Sequence, residues 1–122
     1  MDFKTALKRH LDAIINRDLA AFAEFLCPKR KCVVILPHGA YIEGYDEILD
    51  FHKEWFADTD WRMDIKEIDV SEIGGTGYAL LDITYHDLNE LGEPYVMHYF
   101  LSLLFENVDG KWILLRDQNT LK

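Results

Sequence analysis

Two neighbouring apolar stretches decide the fold of this chain. Residues 95–105 read YVMHYFLSLLF, and residues 112–119 read WILLRDQN. A strand with one wet face alternates apolar and polar residues, whereas these stretches barely alternate until the polar end of the second. They predict a long β-hairpin in a sheet that needs cover on both faces. Since one chain of 122 residues covers only one face, we expect helices on one side and a second copy of the protein on the other.

The turn between the two arms allows two registers. A two-residue turn at Asp109 and Gly110 pairs Val108 with Lys111 and mixes apolar and polar residues on both faces. A three-residue loop pairs Asn107 with Lys111 and gives one wholly apolar stretch that ends in polar residues. Because a slip of one residue exchanges the two faces, the burial pattern favours the second register.

The second register determines which residues of the two arms lie on the same face of the sheet. Leu101 lies beside Asp117, and Tyr99 lies beside Asn119, on the side that faces the helices. The opposite side is the surface through which we expect the chain to form a homodimer, and it includes Phe100, Leu104, Trp112, Leu114 and Gln118.

Helical and strand periodicities divide the chain into two halves. Apolar residues recur at helical spacing in residues 3–16, 19–26 and 46–56, with Asp18 and Asp46 as N-caps of the last two. Strands are predicted at 32–36, 40–43, 62–73, 78–88 and the two arms, with a slip of phase at Ile68. This order predicts an α+β fold in which three helices from the N-terminal half pack on one face of a curved antiparallel sheet.

The composition indicates one globular domain, residues 1–122, with 49% hydrophobic residues. The formal net charge of −9 repels phosphate backbones, so we expect no binding to nucleic acid. We also expect no membrane association, because the N-terminus lacks the layout of a signal peptide and no apolar run approaches the roughly 18 residues that span a bilayer. Cys27 and Cys32 are expected to be free thiols in a cytoplasmic protein. The alternatives are a short disulfide or half of a zinc site, but no second cysteine pair and no histidine at ligand spacing accompany them.

The orientation of the strand at 78–88 depends on the turn that follows it. A four-residue turn, residues 89–92, places Asp82 beside Tyr99 and turns it toward the helices. The opposite parity turns Leu81, Ile83 and Tyr85 inward and leaves Asp82 in solvent.

Under the first parity, four polar residues gather on three adjacent strands where the apolar run ends: Asp82, Tyr99, Asp117 and Asn119. Two buried carboxyl groups that lie close together do not both ionise readily, so the pKa of one should rise and make it a candidate proton carrier. The alternative is that these side chains bond the backbone or Arg116 near the end of the sheet.

His10 interrupts the apolar stripe of the first helix. Histidine titrates near neutral pH, so a His10 ring that reaches the same cavity as Asp117 would suit acid–base catalysis. The alternative is a histidine buried in the core without a catalytic role. Tyr41 and Trp55 are candidate ligand contacts, because ligand pockets are mostly apolar and aromatic, and ordinary core packing is their alternative.

No motif predicts a cofactor. The sequence lacks a phosphate-binding loop and a dinucleotide-binding fingerprint. No two histidines share an element with a carboxylate at metal-ligand spacing. We therefore expect no cofactor and no metal ion.

Three motifs carry a resemblance to a known superfamily. They are residues 16–22 (NRDLAAF), residues 37–39 (PHG) followed by 44–48 (GYDEI), and residues 109–112 (DGKW) running to 116–120 (RDQNT). In their order and spacing the chain resembles the nuclear transport factor 2-like superfamily, and most closely its SnoaL-like branch. The resemblance implies a cone-shaped, cystatin-like α+β barrel that is open at one end and commonly dimerises through its sheet.

The same resemblance leaves the function open, because the superfamily includes steroid isomerases, polyketide cyclases, dehydratases and association or transport modules. Matching from Asp18 places His10 where ketosteroid isomerases have the tyrosine that stabilises the enolate. Their general-base aspartate matches Leu36 of this chain, which argues against steroid isomerisation.

Two functions are compatible with the sequence. The first is an enzyme that moves a proton on a small, largely apolar carbonyl compound, as an isomerase, cyclase or lyase. His10 and Asp117 would then shuttle protons, while Tyr99 and Asn119 orient an oxygen. The second is a homodimeric module that binds a small molecule or another protein without catalysis.

Overall fold

The computed structural model covers residues 1–122 and contains three helices and six strands. The helices are α1 (Phe3–Ile15), α2 (Leu19–Ala23) and α3 (Tyr45–Ala57). The strands are β1 (Val33–Ile35), β2 (Tyr41–Glu43), β3 (Arg62–Ile73), β4 (Thr76–Leu88), β5 (Pro94–Val108) and β6 (Lys111–Leu121). This order confirms the α+β architecture.

Local sequence accounts for the start of each helix. Asp2 caps α1 and Asp18 caps α2, each through a hydrogen bond from a backbone amide to its side chain. The prediction that Asp46 caps α3 is wrong, because Gly44 is the N-cap and Asp46 lies in the first turn. A negative charge there still interacts favourably with the helix dipole. None of the three helices has the length and apolar character needed to cross a lipid bilayer.

The six strands form one curved sheet in the order β2-β1-β6-β5-β4-β3. β1 runs parallel to β6, and every other neighbouring pair is antiparallel. The parallel pair departs from the predicted antiparallel sheet, because β1 and β2 join the last strand of the meander. The register of β3 shifts between Glu67 and Asp69, which confirms the slip of phase at Ile68.

The register of the β5–β6 hairpin differs from the predicted one. Val108 pairs with Lys111, so the turn has two residues, and both Asp109 and Gly110 have positive φ. Leu115 is then left unpaired, because Leu114 pairs with Phe105 and Arg116 pairs with Leu104. Beyond this bulge Asp117 pairs with Leu103 rather than with Leu101. The predicted register is therefore wrong, although Asp117 keeps the predicted inward face.

Two residues of the predicted dimer surface lie inside the protein, because the two-residue turn pairs Trp112 with Asn107 and Leu114 with Phe105, on the inner face of β5. Trp112 packs against Phe3 of α1 with ring centroids 5.2 Å apart, and its indole N–H donates to the carbonyl of Met1 at 3.1 Å. Leu114 is buried in the same core. Trp112 and Leu114 are thus removed from the outer face, which retains Phe100, Leu104 and Gln118.

The orientation of β4 also differs from the predicted one. Leu88 pairs with Pro94, so the turn contains residues 89–93 and is one residue longer than expected. The extra residue reverses the parity, and Leu81, Ile83 and Tyr85 are buried. Asp82 therefore lies on the outer face, where its carboxylate pairs with the Lys122 ammonium at 2.8 Å. The prediction that Asp82 faces the helices is wrong.

The helices cover the inner face of the sheet, and the hydrophobic core lies between the two layers. Phe105 is fully buried near the middle of this layer, and its ring centroid lies 5.4 Å from that of Phe3. Phe3 packs directly over Gly77 of β4, the point at which α1 lies against the sheet backbone. No helix covers the outer face.

Gly77 should not tolerate a side chain. An alanine Cβ at this position would overlap the Phe3 ring, so Gly77→Ala should lower the free energy of unfolding by about 1–3 kcal/mol. Gly75→Ala is the matched control, because the nearest atom to its Cβ lies 3.8 Å away. Urea denaturation measures both variants, and equal stability of the two would contradict this packing.

Candidate functional site

A cavity of about 260 Å³ lies between α1, α3, the β1–β2 turn and the inner face of the sheet. Its walls are mostly apolar and aromatic, and four polar side chains interrupt them: His38, His52, Asp117 and Asn119. No lysine or arginine side chain lines it. The volume is near the lower end of ligand pockets, which span roughly 300–1,000 Å³.

Asp117 is the buried carboxyl group of this cavity, with 6% of its surface exposed. Its Oδ1 accepts a hydrogen bond from the Asn119 amide at 3.0 Å, and its Oδ2 has no partner within the chain. Burial raises the pKa of Asp117 to about 7, and the bond from Asn119 opposes this rise. The carboxyl group can therefore hold and release a proton near neutral pH.

His52 is the buried histidine of the cavity and projects from α3. Its Nδ1 bonds the Ile48 carbonyl at 2.7 Å, and because a carbonyl oxygen only accepts, Nδ1 carries the proton. Burial lowers the pKa of His52 to about 4, and the bond to Ile48 opposes this shift. The ring is therefore neutral at pH 7, and Nε2, which has no partner within the chain, is a proton acceptor. Phe22 stacks on the ring at 3.9 Å between centroids.

Tyr99 contributes a hydroxyl group that has no hydrogen-bond partner within the chain. Burial, together with the nearby charge of Asp117, raises the pKa of Tyr99 above its usual range. The phenol stays protonated and is available as a hydrogen-bond donor to a molecule in the cavity.

The aromatic wall of the cavity is held by its own contacts. The Trp55 indole N–H donates to the Tyr85 hydroxyl at 3.1 Å, and that hydroxyl donates to Asp87 at 2.8 Å. Trp61 stacks behind Trp55 with centroids 4.3 Å apart, and the Arg17 guanidinium lies 4.0 Å over the Trp61 ring. These contacts fix the plane of Trp55, so the wall is pre-formed.

The structure brings together four of the residues chosen from the sequence. Trp55, Tyr99, Asp117 and Asn119 all line the cavity. Asp82 lies on the outer face of the sheet, as described above. Tyr41 is 65% exposed on the edge strand β2 and does not line the cavity.

His10 lies in the core and does not line the cavity, contrary to the prediction. Its fully buried ring is surrounded by Phe25, Phe105 and Phe22, with centroids at 4.9, 5.2 and 5.5 Å. Neither ring nitrogen has a hydrogen-bond partner. Burial lowers the pKa of His10 to about 3, so the ring is neutral and has no access to a ligand in the cavity.

Sequence reasoning missed His52 and His38 as cavity residues. The signal for His52 was present, because it falls in the buried stripe of α3, one turn after Ile48. His38 lies in the turn between β1 and β2, and no periodicity applies to a turn.

Comparison with known proteins gives one family and a set of similar structures. The sequence profile of the SnoaL-like domain matches residues 4–118. No curated protein matches the chain in sequence.

Three solved structures illustrate the range of similar folds. A proposed dehydratase of the NTF2-like family from Streptomyces avermitilis has a TM-score of 0.83 at 15% identity, over 98% of this chain and 93% of that one. A ketosteroid isomerase-like protein from Erwinia carotovora atroseptica has a TM-score of 0.78 at 16% identity, over 97% and 92%. The association domain of CaMKII from C. elegans has a TM-score of 0.69 at 19% identity, over 97% and 92%. At these identities the likeness concerns the fold alone.

His10→Leu should stabilise the protein and flatten its response to acid. The leucine removes two unpartnered buried nitrogens at similar volume, so the free energy of unfolding at pH 7 should rise by about 1–3 kcal/mol. Because the folded chain lowers the pKa of His10 to about 3 and of His52 to about 4, the unfolded chain binds more protons below pH 6.5. Stability therefore falls as the pH drops from there toward 4.

In His10→Leu, the free energy of unfolding should depend less steeply on pH, because the variant loses the contribution of His10, up to about 1.4 kcal/mol per pH unit. Urea denaturation at several pH values measures it. His98→Gln, at an exposed position of β5, is the control. A variant with the wild-type slope would show that His10 is not a neutral core residue.

Proposed function

The chain belongs to the SnoaL-like domain family of the nuclear transport factor 2-like superfamily, and we propose that it binds a small neutral carbonyl compound in its cavity and moves a proton on it. One observation carries this proposal. His52, Tyr99 and Asp117 line the same apolar cavity, and each keeps one polar atom without a partner in the chain. These three atoms are accessible from the cavity, because the only side-chain polar atoms that are both fully buried and unpartnered are the ring nitrogens of His10. Each of the three can therefore form a hydrogen bond with a bound molecule.

The proposed chemistry assigns one role to each group. The carbonyl oxygen accepts hydrogen bonds from the Tyr99 hydroxyl and from protonated Asp117, which makes the neighbouring C–H bond more acidic. Nε2 of His52 then removes that proton, and the Nδ1–H bond to Ile48 stabilises the resulting imidazolium. Return of the proton to another carbon gives an isomerisation. If a hydroxyl group leaves instead, the proton of Asp117 converts it to water, which gives a dehydration.

The lining of the cavity supports a neutral ligand. An anionic ligand would lose its hydration without gaining a lysine or arginine partner. The aromatic wall around Trp55 and Tyr85 offers a flat surface for an apolar body. The structures similar to this chain include an isomerase-like protein and a proposed dehydratase, both of which fit proton-transfer chemistry.

The proposal predicts exchange of enolisable protons. In D₂O, the wild type should accelerate loss of the methyl protons of acetophenone, a neutral aromatic ketone, as followed by ¹H NMR. His52→Gln and Asp117→Asn should each reduce this acceleration by about 10²- to 10⁴-fold, because each removes one partner of the acid–base pair.

Circular dichroism shows whether the variants fold, and His98→Gln, which alters a histidine on the other side of the sheet, should exchange like the wild type. A wild type that exchanges no faster than buffer, or variants that match it, would contradict the proposed proton transfer.

We propose, as a second candidate function, that the outer face of the sheet makes the chain an assembly module. On this uncovered face Leu104 pairs with Tyr78, which is 37% exposed, and Leu80 is the next outward residue of β4. Phe100 lies on the same face of β5, with Ser102 between it and Leu104. The partner is a second copy of the chain, bound through Phe100, Leu104 and Gln118. The similarity to an association domain supports this reading.

Sedimentation velocity tests the homodimer. The wild type should sediment as a dimer at micromolar concentration, and Leu104→Glu should sediment as a monomer, because a buried unpaired carboxylate opposes association. Leu91→Glu, in the exposed turn after β4, is the matched control and should remain dimeric. A monomeric wild type would remove the assembly function and leave the cavity proposal unaffected.

A further inference from the structure

The amide group of Asn119 uses both of its hydrogens inside the protein. Nδ2 donates to the Ile35 carbonyl at 2.7 Å and to Oδ1 of Asp117 at 3.0 Å. A side-chain amide has two N–H donors, so no donor remains for a ligand. Rotating the amide by half a turn would place its oxygen against two acceptors. The orientation of Asn119 is therefore fixed by its neighbours.

The strand pairing of the sheet brings together the Asp117 carboxyl group, the Asn119 amide and the Ile35 carbonyl. Asp117 and Asn119 are two residues apart on β6, so their side chains share the inner face. β1 runs parallel beside them, with Val34 opposite Asp117, and Ile35 is the last residue of that strand. A carbonyl at the end of this short strand is thus within reach of a side chain on β6.

The hydrogen bond from Asn119 makes the two oxygens of Asp117 different. In a protonated carboxyl group, the oxygen without hydrogen is the better acceptor, and Oδ1 already accepts the amide. The proton therefore favours Oδ2, the oxygen with no partner in the chain. The same bond stabilises the ionised form, because a carboxylate accepts more strongly than a neutral carboxyl group.

We propose that Asn119 is a positioning residue that holds the acidic proton of Asp117 on Oδ2, where a bound molecule can receive it. This inference deepens the proposed function and rests on it for the identity of the receiving molecule. Asn119 acts through Asp117 and donates no hydrogen bond to the ligand. It replaces the role inferred from the sequence, in which Asn119 itself oriented a ligand oxygen.

The carboxyl group of Asp117 faces titratable groups on four other segments. Three of them are Cys32 just before β1, Tyr99 on β5 and His52 across the cavity on α3. A fourth segment, the turn between β1 and β2, brings His38 to the same cavity. Burial raises the pKa of Cys32 and of Tyr99, and it lowers the pKa of His52 to about 4. The pKa of Asp117, raised by burial to about 7, lies within the window from pH 5 to 9. The titration is followed on the carboxyl signal of Asp117 itself, which separates it from the other groups.

The test is a ¹³C NMR titration of the side-chain carboxyl groups in the ligand-free protein, with Asp117→Asn used to assign the signal. Asn119→Leu removes both hydrogen bonds at similar size, and the midpoint of Asp117 should move upward by about one pH unit. Thr120→Val, at the neighbouring exposed position of β6, should leave the midpoint as in the wild type. If Asn119→Leu does not fold, Asn119→Ser is measured in its place with the same expected direction.

Acetophenone exchange separates the two proposals. Asn119→Leu should lower kcat more than it raises KM, and its pH profile should shift with the Asp117 midpoint. An unshifted midpoint overturns the positioning role, even if the wild type catalyses exchange. A shifted midpoint in a protein whose wild type catalyses no exchange supports the contact between Asn119 and Asp117 and overturns only the proposed function.

Discussion

The pairing of β6 with β5 changes register at Leu115, which is unpaired between Leu114 and Arg116. Along a regular strand, consecutive side chains alternate between the two faces. Without the extra residue, the register set at the two-residue turn would continue and would carry Asp117 to the outer face. The bulge lets Trp112 and Leu114 complete the core near the turn and still turns Asp117 into the cavity. The polar groups of the cavity therefore depend on one irregularity in an otherwise regular hairpin.

Burial shifts the pKa values of Asp117 and His52 in opposite directions. It raises the pKa of Asp117 and lowers that of His52, since in each case water no longer stabilises the charged form. Both groups are thereby driven toward their neutral forms, one as a proton donor and the other as a proton acceptor. A cavity with these properties holds an acid and a base without a buried ion pair, whose desolvation would be costly. The sequence suggested that a second carboxyl group, Asp82, raises the pKa of Asp117, but burial alone accounts for the rise.

The sequence was sufficient for the fold and for part of the site. The apolar arms and helical periods predicted the sheet and its helical layer, because burial imposes those patterns directly. Asp117 and Asn119 were placed on the correct face despite the wrong register, since the true pairing beyond the bulge differs by two residues and so preserves parity. Asp82 was misplaced because one additional turn residue reverses parity, and turn length is weakly encoded. His10 was misplaced because a histidine in an apolar stripe looks the same in sequence whether it faces a cavity or a cluster of phenylalanines.

The cavity is lined partly by long strands and partly by the turn between the short strands β1 and β2, and these two parts differ in how well they tolerate changes of sequence length. Asp117 and Tyr99 stand on long strands whose neighbours fix them, whereas Pro37 and His38 lie on a turn between two strands of three residues each. An insertion in that turn would reshape the rim and leave the proton-carrying groups in place, because loops at a sheet edge tolerate changes of length. Substitutions confined to this turn can thus change the shape of the opening, while the positions of Asp117 and Tyr99 behind it stay the same.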